Sequence, residues 1–329
     1  MNGKERFNYH FTQLQLLLNK ASKQKNPALW LYRNNARTPL FMLEALAKMY
    51  AGLHNKKRFT KLKEHFKLLE DGIGAIDYYD AVAKDLSVDK KIPAAITNYL
   101  QAECREKIQS LNEILVEKKW IHNEEGRINK ALEKLEDADW MDEEEEINAI
   151  EAFYGEAIYD IIEFITETKL HFDNIEEDVH ELRRKLRWLS IYPQALRGCI
   201  QLAKQNKTVK HFAKYCTKEI TTSPFNKMPD TGDSKYLLLL DQNYFYALSW
   251  MIAELGKLKD NGLHIVGVKE ALVATEGFSD KEADKKAYQL LGAKQTKLQT
   301  LLDDAEKICK VYFGEQNLEH LVVGVRDIK

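Results

Sequence analysis

Apolar residues along this chain recur three and four positions apart with polar residues between them, as at Leu100, Cys104, Ile108, Leu111 and Leu115. That spacing keeps one face of a helix with about 3.6 residues per turn apolar. Alternation with a period of two, the mark of a half-buried strand, is almost absent. The pattern predicts a helix over 4–20 and a second that starts after Asn26, with Pro27 in the first turn, where its missing N–H costs nothing. Pro39 is expected to kink or interrupt that second helix. Further helices are expected over 59–69, 75–86, 94–120, 126–135, 143–170, 175–203, 208–220, 235–259 and 281–312. Asp71-Gly72-Ile73-Gly74 is expected to break the pattern, and Asp260-Asn261-Gly262 to end the 235–259 helix through a left-handed cap. The clearest loop is 221–234, which contains Thr221-Thr222-Ser223-Pro224, Met228-Pro229-Asp230 and Thr231-Gly232-Asp233.

A chain of 329 residues, 44% hydrophobic and 10% aromatic, carries enough apolar surface for one large or two ordinary domains. No apolar run approaches the ~20 residues that a membrane-spanning helix needs. Near the start, Lys4, Glu5, Arg6 and Gln13 stand before Leu14, Leu16, Leu17 and Leu18, without the continuous apolar stretch and small-residue cleavage site of a secretory signal. A cytoplasmic protein without a membrane partner is therefore expected. The four cysteines, Cys104, Cys199, Cys216 and Cys309, form no Cys-x-x-Cys pair, and reduced structural thiols are expected.

Charge is distributed unevenly along the chain. The formal net charge is only -2, yet residues 6–63 carry twelve Lys/Arg against one acid, Glu44, and residues 182–218 carry ten against none. The rest of the chain is left with 27 Lys/Arg against 50 Asp/Glu. If folding brings both basic blocks to one surface, that surface suits a polyanion. By contrast the acidic run Glu143 to Glu146 follows Asp142 at a predicted helix start, where carboxylates interact well with unpaired amides, and a solvated helix terminus is expected there.

Two basic blocks suggest an internal duplication. When Trp30-Leu31-Tyr32-Arg33-Asn34-Asn35-Ala36-Arg37 is set above His180-Glu181-Leu182-Arg183-Arg184-Lys185-Leu186-Arg187, the arginines coincide at the third and seventh positions after the first residue. On a helix these positions share one stripe, so Trp30, Arg33 and Arg37 are expected to point one way, and His180, Arg183 and Arg187 likewise. A second basic segment follows each ladder: Lys56, Lys57, Arg58, Lys61 and Lys63 in the first half, and Lys204, Lys207, Lys210 and Lys214 in the second.

The stretch Val179-His180-Glu181-Leu182-Arg183-Arg184-Lys185-Leu186-Arg187-Trp188-Leu189 resembles the signature helix of the conserved-histidine α-helical domain, or CHAD, family. Trp188 and Ser190 stand where that pattern usually keeps basic residues, and Trp30 where a first copy would have histidine. The resemblance implies an all-α fold over 1–329, built as two similar helical bundles, 5–172 and 173–315, about a pseudo-twofold axis. It also implies a basic groove that binds inorganic polyphosphate, lined by Arg33, Arg37, His180, Arg183, Arg184 and Arg187. Lys57, Arg58, Lys61, Lys207, Lys210 and Lys214 would extend it. Arginine's planar fork donates two parallel bonds to phosphate oxygens, and His180, with an ordinary pKa of ~6.5, would add a donor on acidification.

Other chemistries find less support in the residues. Glu177-Asp178-Val179-His180 gives one Glu-x-x-His where a bundle di-iron site needs two, and Asp77 with Asp80 reads more simply as a solvated helix face than as a divalent cation site. The chain lacks a P-loop, a Gly-x-Ser-x-Gly elbow and a strand-linked Gly-rich fingerprint, so no enzyme, cofactor or metal is expected. Trp30, Tyr32, Trp188, Tyr192 and Tyr215 interleave the basic blocks as a single-strand binder's rings would, but no nucleic-acid motif accompanies them, and the acidic remainder repels a long duplex. The competing expectation is a helical scaffold or protein-interaction module, in which Arg183, Arg184, Lys185 and Arg187 pair internally with carboxylates such as those along 143–167.

Overall fold

Asn side chains start several helices by accepting the first free amides: Asn2 from Glu5, Asn26 from Leu29 and Asn55 from Arg58. In the computed structural model, which describes residues 1–121, 126–204, 210–292 and 296–328, the first half of the chain forms α1 (Gly3–Ala21), α2 (Pro27–Arg33), α3 (Arg37–Leu53), α4 (Lys56–Ser87), α5 (Ala94–Glu117), α6 (Arg127–Glu136) and α7 (Glu143–Thr168). The second half forms α8 (Glu181–Ala195), α9 (Lys218–Thr222), α10 (Gln242–Glu276), α11 (Asp280–Leu291) and α12 (Leu298–Gly314). The fold class is all-α.

Several expected boundaries move, each for a physical reason. The break near Pro39 falls earlier, at Asn34 to Ala36, where Asn35 adopts φ 57°; Pro39 then sits in the first turn of α3, where no intrahelical acceptor awaits its nitrogen. Asp71-Gly72-Ile73-Gly74 does not interrupt α4, and Asp260-Asn261-Gly262 does not end α10. Gly72 and Gly262 serve close approach instead of turning: a Cβ on Gly72 would lie 2.9 Å from Leu111, and one on Gly262 3.1 Å from Ile175. The left-handed cap of α10 is Gly277, at φ 68°. The 281–312 helix divides into α11 and α12, with Gly292 at φ 77° closing the first.

A small sheet replaces expected helix at two places and adds a third strand beyond the last expected helix. The helix expected over 175–203 begins with a π-helical turn, Ile175–His180, and stops at Ala195; Arg197 and Gly198, both at positive φ, then turn the chain into β1 (Ile200–Ala203). The 235–259 helix begins instead as β2 (Tyr236–Asp241), because a continuous apolar run such as Leu237 to Leu240 carries no period that separates strand from helix. The third strand, β3 (Val322–Asp327), completes the order β1-β2-β3, parallel then antiparallel, with Ile200 opposite Leu238 and Leu238 opposite Val325. Of the helix expected over 208–220, the described part is a 3-10 turn, Lys210–Lys214, followed by α9. The 221–234 segment holds the end of α9 and a 3-10 turn, Pro224–Asn226, and is otherwise irregular.

One apolar cluster runs from Phe7 through Phe66, Tyr154, Leu186 and Leu248 to Leu321 and so takes residues from both ends of the chain. At about 2 kcal/mol for each large buried side chain, it supplies most of the drive for assembly. A second cluster joins Val82, Leu86, Ile96 and Leu100 of α4 and α5 to Val268, Leu272, Ala283 and Ala287 of α10 and α11. At the start of α7, Glu146 is buried, not solvated: it accepts from Arg6 Nη1 at 2.6 Å and from the Tyr50 hydroxyl at 2.5 Å. Glu143 and Glu144 accept from the Lys235 amide and the Tyr236 hydroxyl, which ties α7 to β2.

Candidate functional site

Three helices expose matching stripes to one groove. Residues 37, 41, 44 and 48 repeat at helical spacing along α3, and 63, 67, 70, 71, 74, 77 and 78 do so along α4. His180, Arg183, Arg184, Arg187 and Trp188 form the facing wall from the π-turn and α8. Together they enclose a cavity of about 340 Å³, lined by seven Lys/Arg (Arg37, Lys48, Lys63, Lys67, Arg183, Arg184, Arg187) against three carboxylates, Glu44, Glu70 and Asp71.

The arginines are held to different degrees. Arg37 donates from Nε to Glu70 at 2.5 Å and from Nη1 to Asp77 at 3.2 Å. Arg183 donates from Nε to the Ile252 carbonyl at 3.1 Å, and Arg184 pairs with Glu181 at 2.7 Å. Arg187 stands over the Phe41 ring at 4.2 Å, and its guanidinium meets no hydrogen-bonding partner among the described residues. The expected pairing of these cations with carboxylates of α7 does not occur among the described residues; Lys185 instead lies over the Phe164 ring at 5.5 Å.

Crowding of like charge in a half-buried space shifts proton affinities. Burial, then Arg183 and Arg37, lower the Arg187 pKa to about 10. Burial, then Arg184, Lys185 and Lys63, lower that of Lys48 to about 8; its ammonium lies 5.2 Å from the Trp188 ring centre. Burial and Glu70 raise Glu44 to about 7. His180 departs from the expectation of an ordinary titrating histidine: burial, Lys259 and the neighbouring arginines lower it to about 4, so it is neutral at pH 7 and its Nδ1 is buried without a hydrogen-bond partner.

Only some of the expected site residues meet. Arg37, His180, Arg183, Arg184 and Arg187 share the cavity. Arg33 does not, because the turn at Asn34 to Ala36 breaks the Trp30-Arg33-Arg37 stripe; it lies instead in a pocket with Tyr32, Asp80 and Lys84. Lys57, Arg58 and Lys61 line neither this cavity nor its neighbour: Lys57 and Lys61 are exposed, and Arg58 donates to the Lys134 carbonyl. Lys210 is exposed on its 3-10 turn, Lys214 pairs with Glu315 beside the end of α12, and Lys207 lies outside the described residues. Lys48, Lys67, Glu44 and Glu70 also line the cavity, although they are not among the expected site residues. Glu44 and Lys48 share the 37, 41, 44, 48 stripe of α3, and Lys67 and Glu70 share the 63, 67, 70 stripe of α4, whose far end was hidden because that helix was expected to end before Gly72.

Past Arg37 and His180, which belong to both spaces, the groove opens into a second cavity of about 650 Å³. Here Asp77, Asp85, Glu176, Asp260 and Glu270 face two cations, Arg37 and Lys259. His264 pairs with Asp85 at 3.1 Å and Lys259 with Asp260 at 3.4 Å. Asp77 and Asp80, one turn apart, part company: Asp77 meets Arg37, while Asp80 accepts from Tyr32 and Lys84. Among the described residues no group of three or more His, Cys, Asp or Glu has the arrangement to hold a metal ion, and no helix is long and apolar enough to cross a membrane. Comparison of the chain with protein-family models, with curated proteins and with solved structures gives no match.

Proposed function

We propose that this protein is a non-enzymatic polyanion-binding helical module of the CHAD type, and that it seats phosphoryl groups of inorganic polyphosphate or a similar polyanion in the basic cavity between α3, α4 and α8. The observation that carries this reading is the lining of that cavity, seven Lys/Arg against three carboxylates, with the Arg187 guanidinium engaged by no carboxylate among the described residues. Arg183 and Arg187, one turn apart beside His180, offer forked donors to successive phosphoryl groups, each carrying about one negative charge. Lys48, Lys63 and Lys67 add point charges, and counterion release makes the affinity fall as salt rises. The acidic cavity beyond Arg37 limits how far a uniformly anionic chain extends. Titration of labelled polyphosphate at low and moderate salt tests the reading: Arg183→Ala with Arg187→Ala is expected to weaken binding at least about tenfold, the loss of two charge-assisted contacts. Equal affinity in the double variant, or no binding by the unaltered protein at low salt, rejects it.

A second reading, a helical scaffold, draws on the pairing of Arg37 with Glu70 and Asp77 and of Arg184 with Glu181. On that reading the basic residues serve the fold. The same double variant would then lower the melting temperature and leave anion titrations flat.

A further inference from the structure

The two cavities form one groove whose charge reverses along both walls in the same direction. Along α4 the lining passes from Lys63 and Lys67, through Glu70 and Asp71, to Asp77 and Asp85. Along the facing wall it passes from Arg187, Arg184 and Arg183, through His180, to Glu176. Lys63 and Asp85 are separated by about 33 Å of helix, several times the ~8 Å screening length at physiological salt, so the ends of the groove do not neutralise one another through solvent.

We infer that the groove is a two-pole receptor whose ligand is a phosphorylated amine, with its phosphoryl group among Arg183, Arg187 and Lys48 and its ammonium group between Glu176 and Glu270. This rests on the anion-binding reading above and adds the cationic end. Two carboxylates of the acidic cavity, Glu176 and Glu270, are ion-paired with no Lys or Arg among the described residues, whereas Asp77, Asp85 and Asp260 are engaged by Arg37, His264 and Lys259. Glu270 is held in place: the hydroxyls of Tyr79 and Tyr99 donate to its Oε1 at 2.9 and 3.0 Å, which leaves Oε2 for a further donor. Glu176 lies 4.0 Å from His180 Nδ1, at the junction of the two spaces. The side chains of Tyr78, Val82 and Leu263 line the same cavity, so an alkyl stem meets apolar surface and an ammonium meets an aromatic ring as well as carboxylates. From Arg183 to Glu176 the chain advances about 10 Å along its helix axis, which sets the span between the two charged groups of the ligand.

Calorimetric titration of the full chain with ω-aminoalkyl phosphates spanning on the order of 10 Å, each compared with the alkyl phosphate of equal length, reads the cationic pole as a ratio of affinities. The aminoalkyl phosphate is expected to bind about fivefold tighter, the scale of one partly exposed ion pair. In the near-isosteric double variant Glu176→Gln/Glu270→Gln that ratio is expected to fall below about twofold. The ratio is internal to each variant, so a modest loss of stability does not mask it. Equal binding of the two ligands by the unaltered protein, or a ratio that survives in the double variant, overturns the inference while leaving the anion site standing. Failure of both ligands to bind, with polyphosphate also unbound, removes the anion reading and this one with it.

Discussion

Glu44 and Lys48, one turn apart on α3, set the charge of the basic cavity. Glu44 is the one acid in a stretch of twelve Lys/Arg, and it lines the same cavity as the arginines with little exposure to solvent. Because burial and Glu70 raise its pKa to about 7, it carries a full negative charge only above neutrality. Burial and the neighbouring cations lower Lys48 to about 8, so that group loses its positive charge above mild alkalinity. Both changes act in the same direction: raising the pH first adds a negative charge and then removes a positive one, so on the proposed function anion affinity is expected to decline across that interval. His180 gains its proton only near 4, so any strengthening of anion binding on mild acidification is expected to come from Glu44 and not from His180. Glu44→Gln is expected to tighten phosphate binding at pH values above its pKa and to leave only the alkaline Lys48 step in the pH profile. A profile that superimposes on that of the unaltered protein contradicts this assignment.

Two glycines fix arginines at the scale of the helices. A Cβ at Gly74 on α4 would lie 2.8 Å from Arg37 Nη2, and one at Gly256 on α10 would lie 3.0 Å from Arg183 Nε. Each is the space through which a guanidinium crosses a helix to reach the groove. In an isolated helix, Gly→Ala gains up to about 1 kcal/mol of propensity. Gly74→Ala and Gly256→Ala are therefore expected to hold or raise the melting temperature while weakening polyphosphate binding about threefold or more, the cost of moving one charge-assisted donor. Binding and stability that change together would show that the glycines serve only the fold. Gly72, Gly74 and Gly262 lie inside α4 and α10 although they were expected to end helices, because a glycine that opens space for a neighbouring element looks, in one dimension, like a glycine that makes a turn. Asn34 to Ala36 errs in the opposite sense, ending α2 without a proline or glycine and dividing Arg33 from Arg37.

At the scale of the whole molecule, the salt dependence of binding separates the cations that share the groove from those that do not. Each phosphate contact removed lowers the slope of log affinity against log salt by about 0.7 to 1. Lys63→Ala and Lys67→Ala are each expected to reduce that slope, and Lys210→Ala, on an exposed turn outside both cavities, to leave it unchanged. A uniform reduction in all three would mean that net charge alone attracts the anion. Much of the plan was legible in the residues: the all-α class, the amphipathic faces, the segregation of charge, and the His180-Arg183-Arg187 stripe. These follow from periodicity and composition, which act over a turn or two of one helix. The tertiary structure alone decided that Arg37 meets Arg187 while Arg33 does not, that an acidic cavity adjoins the basic one, and that a leucine run becomes β2. It also decided the proton affinities of Glu44, Lys48 and His180. Such properties depend on burial and on neighbours from other elements, and no local pattern of sequence encodes which distant side chain will share a wall or how much water will remain beside it.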